Sequence, residues 1–347
     1  MENAIKIIAP KGEVYPYIDS AKAYLQVPYQ TFVGEFANGN DPLHPSIFNP
    51  NSPIVLKWKC ANAEKFILEY GRLPDYADAE KVEVHGGMNG YGLYNLYKGT
   101  LYFWRVTAIL KTGERVSAED TFTTTALGPR VMKVDGIYNV RDLGGYKTSF
   151  GKTTKQGLLY RGGSLTPADV FDSQLSESGA KCMCETMKIK TELDFRGQCE
   201  ENEYPEQSPI PSARLVCIPA YAYAEAFTEK AQESHRRLFS MLADINNYPV
   251  YFHCTGGADR TGTIAYLLNA LLGVGEEDLL HDYEFTSFSI YGQRSAEKGD
   301  YQPFVSDFFK CLDGYPGETL AQKTESYLRS IGVTVEEIEA FRGIMTK

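Results

Sequence analysis

The chain has 347 residues, 43% of them hydrophobic and 23% charged, a balance that excludes disordered and low-complexity classes and leaves room for two domains. Its net charge of −10 excludes general nucleic-acid binding, which needs a basic face, and means that any anionic ligand must be captured by local groups. No run of about 18 apolar residues predicts a membrane span, and the start MENAIKIIAPKGE lacks the basic and apolar regions of a signal peptide.

Seven cysteines is an odd count without framework spacing, which points to a reducing, cytoplasmic setting. Cys182 and Cys184 have no matching pair to complete a zinc site. Neither a metal nor a cofactor is therefore expected. Cys60, Cys182, Cys184, Cys199, Cys217 and Cys311 read as small buried or incidental thiols.

Residues 1–128 read as all-β. Short β-rich runs at 54–59, 65–70, 81–84, 91–96, 101–109 and 120–125 recur between turn signals such as Gly86-Gly87 and Asn89-Gly90. In 101–109, Tyr102, Trp104 and Val106 alternate with Phe103, Arg105 and Thr107, so one face can be buried. Strands at this spacing predict a β-sandwich. YFWRVTAI (102–109) and Trp58 resemble the penultimate strand and early core tryptophan of a fibronectin type III-like domain. Such a domain could recruit a protein partner. Tyr91, Tyr94, Tyr97, Tyr102 and Trp104 read as its core rather than as a binding surface. ALGPRVMKVD (126–135) has no apolar period and contains Gly128-Pro129, so it reads as a linker.

From residue 129 to 347 strands alternate with helices. Strands are predicted at 158–161, 191–195 and 250–253, and helices at 166–175, 228–243, 261–272, 276–289 and 335–345. This alternation predicts an α/β fold, a mostly parallel central sheet flanked by helices.

The chemistry concentrates in PVYFHCTGGADRTGTIAYLLNALLG (249–273). A buried strand enters a turn of small residues, and a helix follows. That order points the backbone N–H groups of Thr255, Gly256, Gly257, Ala258, Asp259 and Arg260 into a concavity at a helix N-terminus, which is an anion cradle. Cys254 beneath it is placed to act as a thiolate. Arg260 can curl over and grip two phosphoryl oxygens. In-line attack of the thiolate on a phosphate monoester would form a phosphocysteine, which water then hydrolyses. Thr261 can donate a hydrogen bond to the sulfur, and His253 can orient the loop.

This segment resembles the signature loop of the protein tyrosine phosphatase superfamily, with His253, Cys254, Arg260, Thr261 and Gly262 at the required places. NVRDLGGY (139–146), GLLYRGGS (157–164), Asp194-Phe195-Arg196 and VTVEEIEAF (333–341) resemble the bacterial tyrosine phosphatase family that includes a secreted mycobacterial phosphatase and a listerial lipid and tyrosine phosphatase. The resemblance spans about 130–347. It implies that Asp259 assists as general acid. It also implies that a lysine usually stands where this chain has Ala258, at the rim of the loop, and broadens activity toward phosphoinositides.

Asp142, Asp194 and Glu225, the last in PAYAYAEAF (219–227), remain alternative acids. Asp142 and Asp194 read more readily as ion-pair or strand-end residues. Arg141 and Arg196 either line the pocket rim or hold Asp142 and Asp194 in place. Three functions stay open: a tyrosine or dual-specificity phosphatase acting on a phosphorylated protein or small phosphomonoester, a phosphoinositide or inositol-phosphate phosphatase, and a catalytically silent phosphate-binding module.

Overall fold

A computed structural model describes residues 4–29, 31–37, 49–167, 173–196, 206–296 and 307–347. Cys199 lies outside the described residues. None of the described helices is long and apolar enough to cross a membrane. The chain divides into two compact units, residues 1–18 with 51–127 and residues 19–50 with 128–347.

The described elements of the first unit are mainly strands: β1 (Lys6–Ala9), β2 (Gly12–Val14), β3 (Ile54–Lys59), β4 (Ala63–Gly71), β5 (Glu80–His85), β6 (Gly90–Leu93), β7 (Leu101–Leu110) and β8 (Arg115–Thr124). They form one sheet ordered β1-β3-β6 and another ordered β2-β8-β7-β4-β5. Leu56 and Trp58 from the first sheet share a core with Phe66, Trp104, Val106 and Phe122 from the second. Along β7, Tyr102, Trp104, Val106 and Ala108 are buried while Leu101 is exposed. This follows the period-two alternation of a half-buried strand. The tyrosines divide: Tyr102 is core and Tyr94 is exposed.

The second unit carries β9 (Arg130–Val131), β10 (Arg141–Asp142), β11 (Leu159–Gly162), β12 (Thr191–Asp194), β13 (Arg214–Cys217) and β14 (Val250–His253). They form a six-stranded sheet ordered β13-β12-β14-β11-β10-β9. Strands β13, β12, β14 and β11 run parallel, while β10 is antiparallel to both of its neighbours. The helices are α1 (Asp19–Tyr24), α2 (Gly34–Ala37), α3 (Glu177–Lys181), α4 (Glu229–Leu242), α5 (Asp259–Leu271), α6 (Glu276–Glu284), α7 (Phe309–Asp313), α8 (Leu320–Ser330) and α9 (Val335–Met345). Every residue of α5 from Thr261 onward is buried, as expected for a helix apolar on most of its circumference. Its core neighbours include Leu238 of α4, Tyr327 of α8 and Phe341 of α9. Capping boxes at Thr319/Gln322 and Thr334/Glu337 start α8 and α9.

Several sequence expectations change. The expected linker is shorter than 126–135: the division between the units falls within it, after Leu127, but Val131, Met132 and Val134 are buried and β9 pairs with β10, so its second half extends the sheet. Residues 19–50 group with the second unit rather than the first. Ala21, Tyr24 and Leu25 explain this, since they form one buried helical face. The described part of 166–175 is not helical, and 168–172 lie outside the described residues. Helix α6 ends at Glu284, and a 3-10 turn, Phe285–Phe288, follows. Of the thiols read as buried or incidental, Cys217 is exposed and Cys60, Cys182, Cys184 and Cys311 are half-buried, which leaves Cys254 as the buried one among the described residues.

Candidate active site

Strand β14 lies between β11 and β12, and its last residue, His253, is level with Gly162 on one side and Asp194 on the other. The loop after it therefore emerges at the carboxyl edge of three parallel strands, where α/β sheets place their ligands. Cys254 follows at once, and α5 begins only five residues later at Asp259.

Five consecutive loop carbonyls are held by surrounding groups. Cys254 O lies 2.9 Å from Nδ1 of His253. Thr255 O accepts the Ser164 N–H at 2.8 Å. Gly256 O accepts from Asn139 Nδ2 at 3.0 Å, and Gly257 O from Arg161 Nη2 at 2.7 Å. Ala258 O accepts the Gly262 N–H at 2.8 Å and Arg161 Nη2 at 3.4 Å. Because a planar trans peptide points its N–H opposite to its C=O, pinning these carbonyls outward turns the N–H groups of residues 255–259 the other way. Together with the start of α5, this is the backbone arrangement that suits an anion.

Gly257 allows the tightest part of this turn. Its φ is +65°, and an added Cβ would collide with the Gly162 carbonyl. At Gly262 an added Cβ would stand 3.2 Å from Tyr283 and 3.3 Å from Arg161, so α5 packs closely there.

The groups behind the loop form a charged layer. Asp282 of α6 accepts Arg141 Nε at 3.1 Å and also pairs with Arg161 Nη1. Burial first, and then the neighbouring Arg161, lower the Arg141 pKa to about 10, so it stays charged at neutral pH. Two guanidiniums on one carboxylate leave net positive charge behind the loop, which favours an anion in front of it. Arg141 also donates to Asn139 Oδ1, so the side chain that holds Gly256 O is itself held.

His253 is fully buried, with Nε2 3.0 Å from Glu192 Oε1. Both ring nitrogens thus face acceptors, a pattern that the doubly protonated ring satisfies. Burial lowers its pKa, but Asp194 and Glu192 outweigh burial and leave it raised.

The structure brings Cys254, Thr255, Gly256, Gly257, Ala258, Asp259 and Arg260 together at one mouth. Cys254, Gly257 and Ala258 are buried, and Thr255, Gly256, Asp259 and Arg260 are half-buried. Arg260 Nη2 donates to Thr255 Oγ1 at 3.3 Å. The Ala258 side chain itself is buried. Thr261 does not make the predicted bond to sulfur: α5 starts two residues earlier, and the fully buried Thr261 hydroxyl has no hydrogen-bond partner among the described residues.

The remaining candidates stand away from the loop or in its support. Asp142 pairs with Arg130 at 2.7 Å and accepts the N–H groups of Gly144 and Gly157, while burial raises its pKa. Arg141 serves Asp282, so it neither lines the rim nor holds Asp142. Arg196 does grip Asp194, with its Nη2 at 2.6 Å. Glu225 is exposed within the 3-10 turn Tyr223–Phe227.

Sequence reasoning gave no role to Asn139, Arg161, Asp282, Glu192, Tyr223 or Arg294. Asn139, Arg161 and Tyr223 lie inside NVRDLGGY, GLLYRGGS and PAYAYAEAF. The other three carry no local signal, because their partners are distant in the chain.

The model of the tyrosine phosphatase family matches residues 132–347. The chain belongs to this family. Over 130 residues it is 32% identical to a tyrosine-protein phosphatase of Nostoc commune, covering 32% of this chain and 44% of that protein. Over 181 residues it is 29% identical to a putative tyrosine-protein phosphatase of Cupriavidus necator, covering 45% of this chain and 63% of that protein. The matches thus span about half to under two thirds of those relatives' lengths. Among solved structures, the core catalytic domain of a PP-IP phosphatase from S. cerevisiae, in complex with citrate, is 16% identical, with 43% of this chain and 80% of that one covered and a TM-score of 0.31. The family match begins at Met132, just after β9, and takes in residues 254–260.

Proposed function

We infer that this chain is a cysteine-dependent phosphatase that hydrolyses phosphate monoesters. The observation that carries the reading is the buried Cys254 enclosed by five outward-pinned carbonyls at the start of α5. In this mechanism the Cys254 thiolate attacks phosphorus. The inward N–H groups and Arg260 stabilise the equatorial oxygens, and the phosphorus–oxygen bond to the leaving group breaks. Asp259 supplies the proton that the departing oxygen takes up. Water then attacks the phosphocysteine and gives a proton back to Asp259 as the phosphorus–sulfur bond breaks, releasing inorganic phosphate and restoring the thiolate.

A phosphotyrosine-bearing protein is the substrate class we favour, with dual specificity included. Family membership supports it, and Ala258 offers no cation for the further phosphates of an inositide. The first unit, as a fibronectin type III-like module, is proposed to bind a protein partner. Cys254→Ser should lower turnover on a phosphotyrosine peptide about 10⁴-fold or more while phosphate still binds, since the cradle remains. Retention of a tenth of the activity would remove Cys254 as nucleophile. A parallel panel with phosphoinositides would reverse the substrate ranking if they were turned over faster.

A further inference from the structure

Asp259 is gripped by groups that the phosphate-loop motif does not contain. Arg294 donates from Nε to Oδ1 at 2.7 Å and from Nη2 to Oδ2 at 3.0 Å. The Tyr223 hydroxyl donates to Oδ1 as well. A two-point guanidinium contact fixes the plane of a carboxylate as well as its position.

Arg294 is itself immobilised. Its side chain is buried, and Nη1 donates to the carbonyls of Tyr291 at 3.1 Å and Gln293 at 3.0 Å. Its backbone N–H and C=O both bond the Ser287 hydroxyl at 2.8 Å. The next two residues are tied down too. The Ser295 hydroxyl and the Ala296 N–H donate to Glu284 Oε1 at 3.2 and 2.7 Å, and the other Glu284 oxygen accepts the Tyr24 hydroxyl. Tyr223 is braced from its own side. It holds φ at +54°, its N–H donates to Thr263 Oγ1 at 3.1 Å, and its hydroxyl lies 3.0 Å from that of Tyr283.

We propose that Arg294 is the positioning residue for Asp259, setting the direction of its carboxyl over the phosphate loop from a segment tethered to α6, with Tyr223 as the second point of contact. This rests on the reading of Asp259 as the proton donor at a Cys254-centred site. The grip is uneven: Oδ1 takes two donors, whereas Oδ2 takes one at the longer distance. A carboxyl that protonates a leaving oxygen must carry that proton on an oxygen freed from its donors, and the carboxylate left behind regains a proton from the water that attacks the phosphocysteine. Oδ2 can be released by breaking a single hydrogen bond, and Oδ1 stays anchored meanwhile. Arg294 thus keeps the acid aimed without touching the reacting atoms.

The test compares kcat/KM on phenyl phosphate, whose leaving group needs a proton, with dinitrophenyl phosphate, whose leaving group does not. Arg294→Met should cost about 10–10²-fold on phenyl phosphate and less than about threefold on the dinitrophenyl ester. Combined with Asp259→Asn, it should add nothing beyond Asp259→Asn alone, because both changes remove the same function. Tyr223→Phe deletes one donor without disturbing the guanidinium, and should show the same selectivity at about three- to tenfold. It decides the matter if Arg294→Met gives no cooperative melt. Equal losses on the two esters, or losses that multiply in the double variant, would overturn the positioning role. A wild-type protein inactive on both esters would instead overturn the phosphatase reading, and this inference with it.

Discussion

The loop after β14 and the grip on Asp259 meet at one residue, but the first is built from a contiguous run of chain and the second from scattered pieces. Residues 254–258 bridge a strand and a helix, and their conformation follows largely from small residues, one left-handed glycine and the helix start. The grip uses Tyr223 and Arg294, braced by Ser287, Glu284 and Tyr24. None of these is near Asp259 in sequence. Even the loop is only half local, since its carbonyls are held by Asn139, Arg161 and Ser164. The comparison teaches that the course of the loop is written mostly in one segment, whereas the placing of the Asp259 carboxyl depends on the whole unit closing correctly.

If the loop leans on its charged backing, that backing should give the largest effect. Asp282→Asn would leave Arg141 and Arg161 buried without their shared carboxylate and should destabilise the protein by about 3–5 kcal/mol in chemical denaturation at neutral pH. The loss should shrink in acid. Burial by itself would raise the Asp282 carboxyl, but the two arginines outweigh it and hold its pKa below 3.8. The pairing therefore stabilises the fold above the unfolded pKa and is lost as pH falls through the lower folded one. A pH-independent difference between wild type and variant would contradict this.

The contiguous part comes next. Gly257→Ala forces a Cβ against the Gly162 carbonyl, which is backbone and cannot step aside. A loop displaced by about 1 Å should lose about 10²-fold in kcat/KM, on good and poor leaving groups alike. Selective loss on poor leaving groups alone would mean that the loop and the grip are not separable.

The smallest effect tests the far end of the tether. Tyr24→Phe removes the hydroxyl donor from the buried Glu284 and should cost about 1–3 kcal/mol of stability. Its effect on turnover should be confined to phenyl phosphate. A fragment starting at residue 128 loses Tyr24 altogether, so it should melt earlier than one that retains residues 19–50. Identical melting would show that α1 contributes little.

Much of this protein was legible in the chain itself. The strands at 54–59 and 250–253 and the helix at 335–345 coincide with β3, β14 and α9. Periodicity and capping act over a few residues, so they can be read from neighbours. The order of strand, cysteine, small residues and helix also follows from one segment. Tertiary structure alone decided the rest. It turned the second half of 126–135 from a linker into a sheet edge, because the burial of Val131 and Met132 depends on β10 and the core behind it. It gave Arg130 rather than Arg141 to Asp142, and sent Arg141 to Asp282, 141 positions away. It drew residues 19–50 into the second unit through Tyr24. Partners for buried charges are chosen by which side chains arrive together when the chain closes, and no local pattern records that choice. The sequence by itself determined the run of strand, cysteine, small residues and helix around Cys254, and only the closed fold determined that Arg294 grips Asp259 beside it.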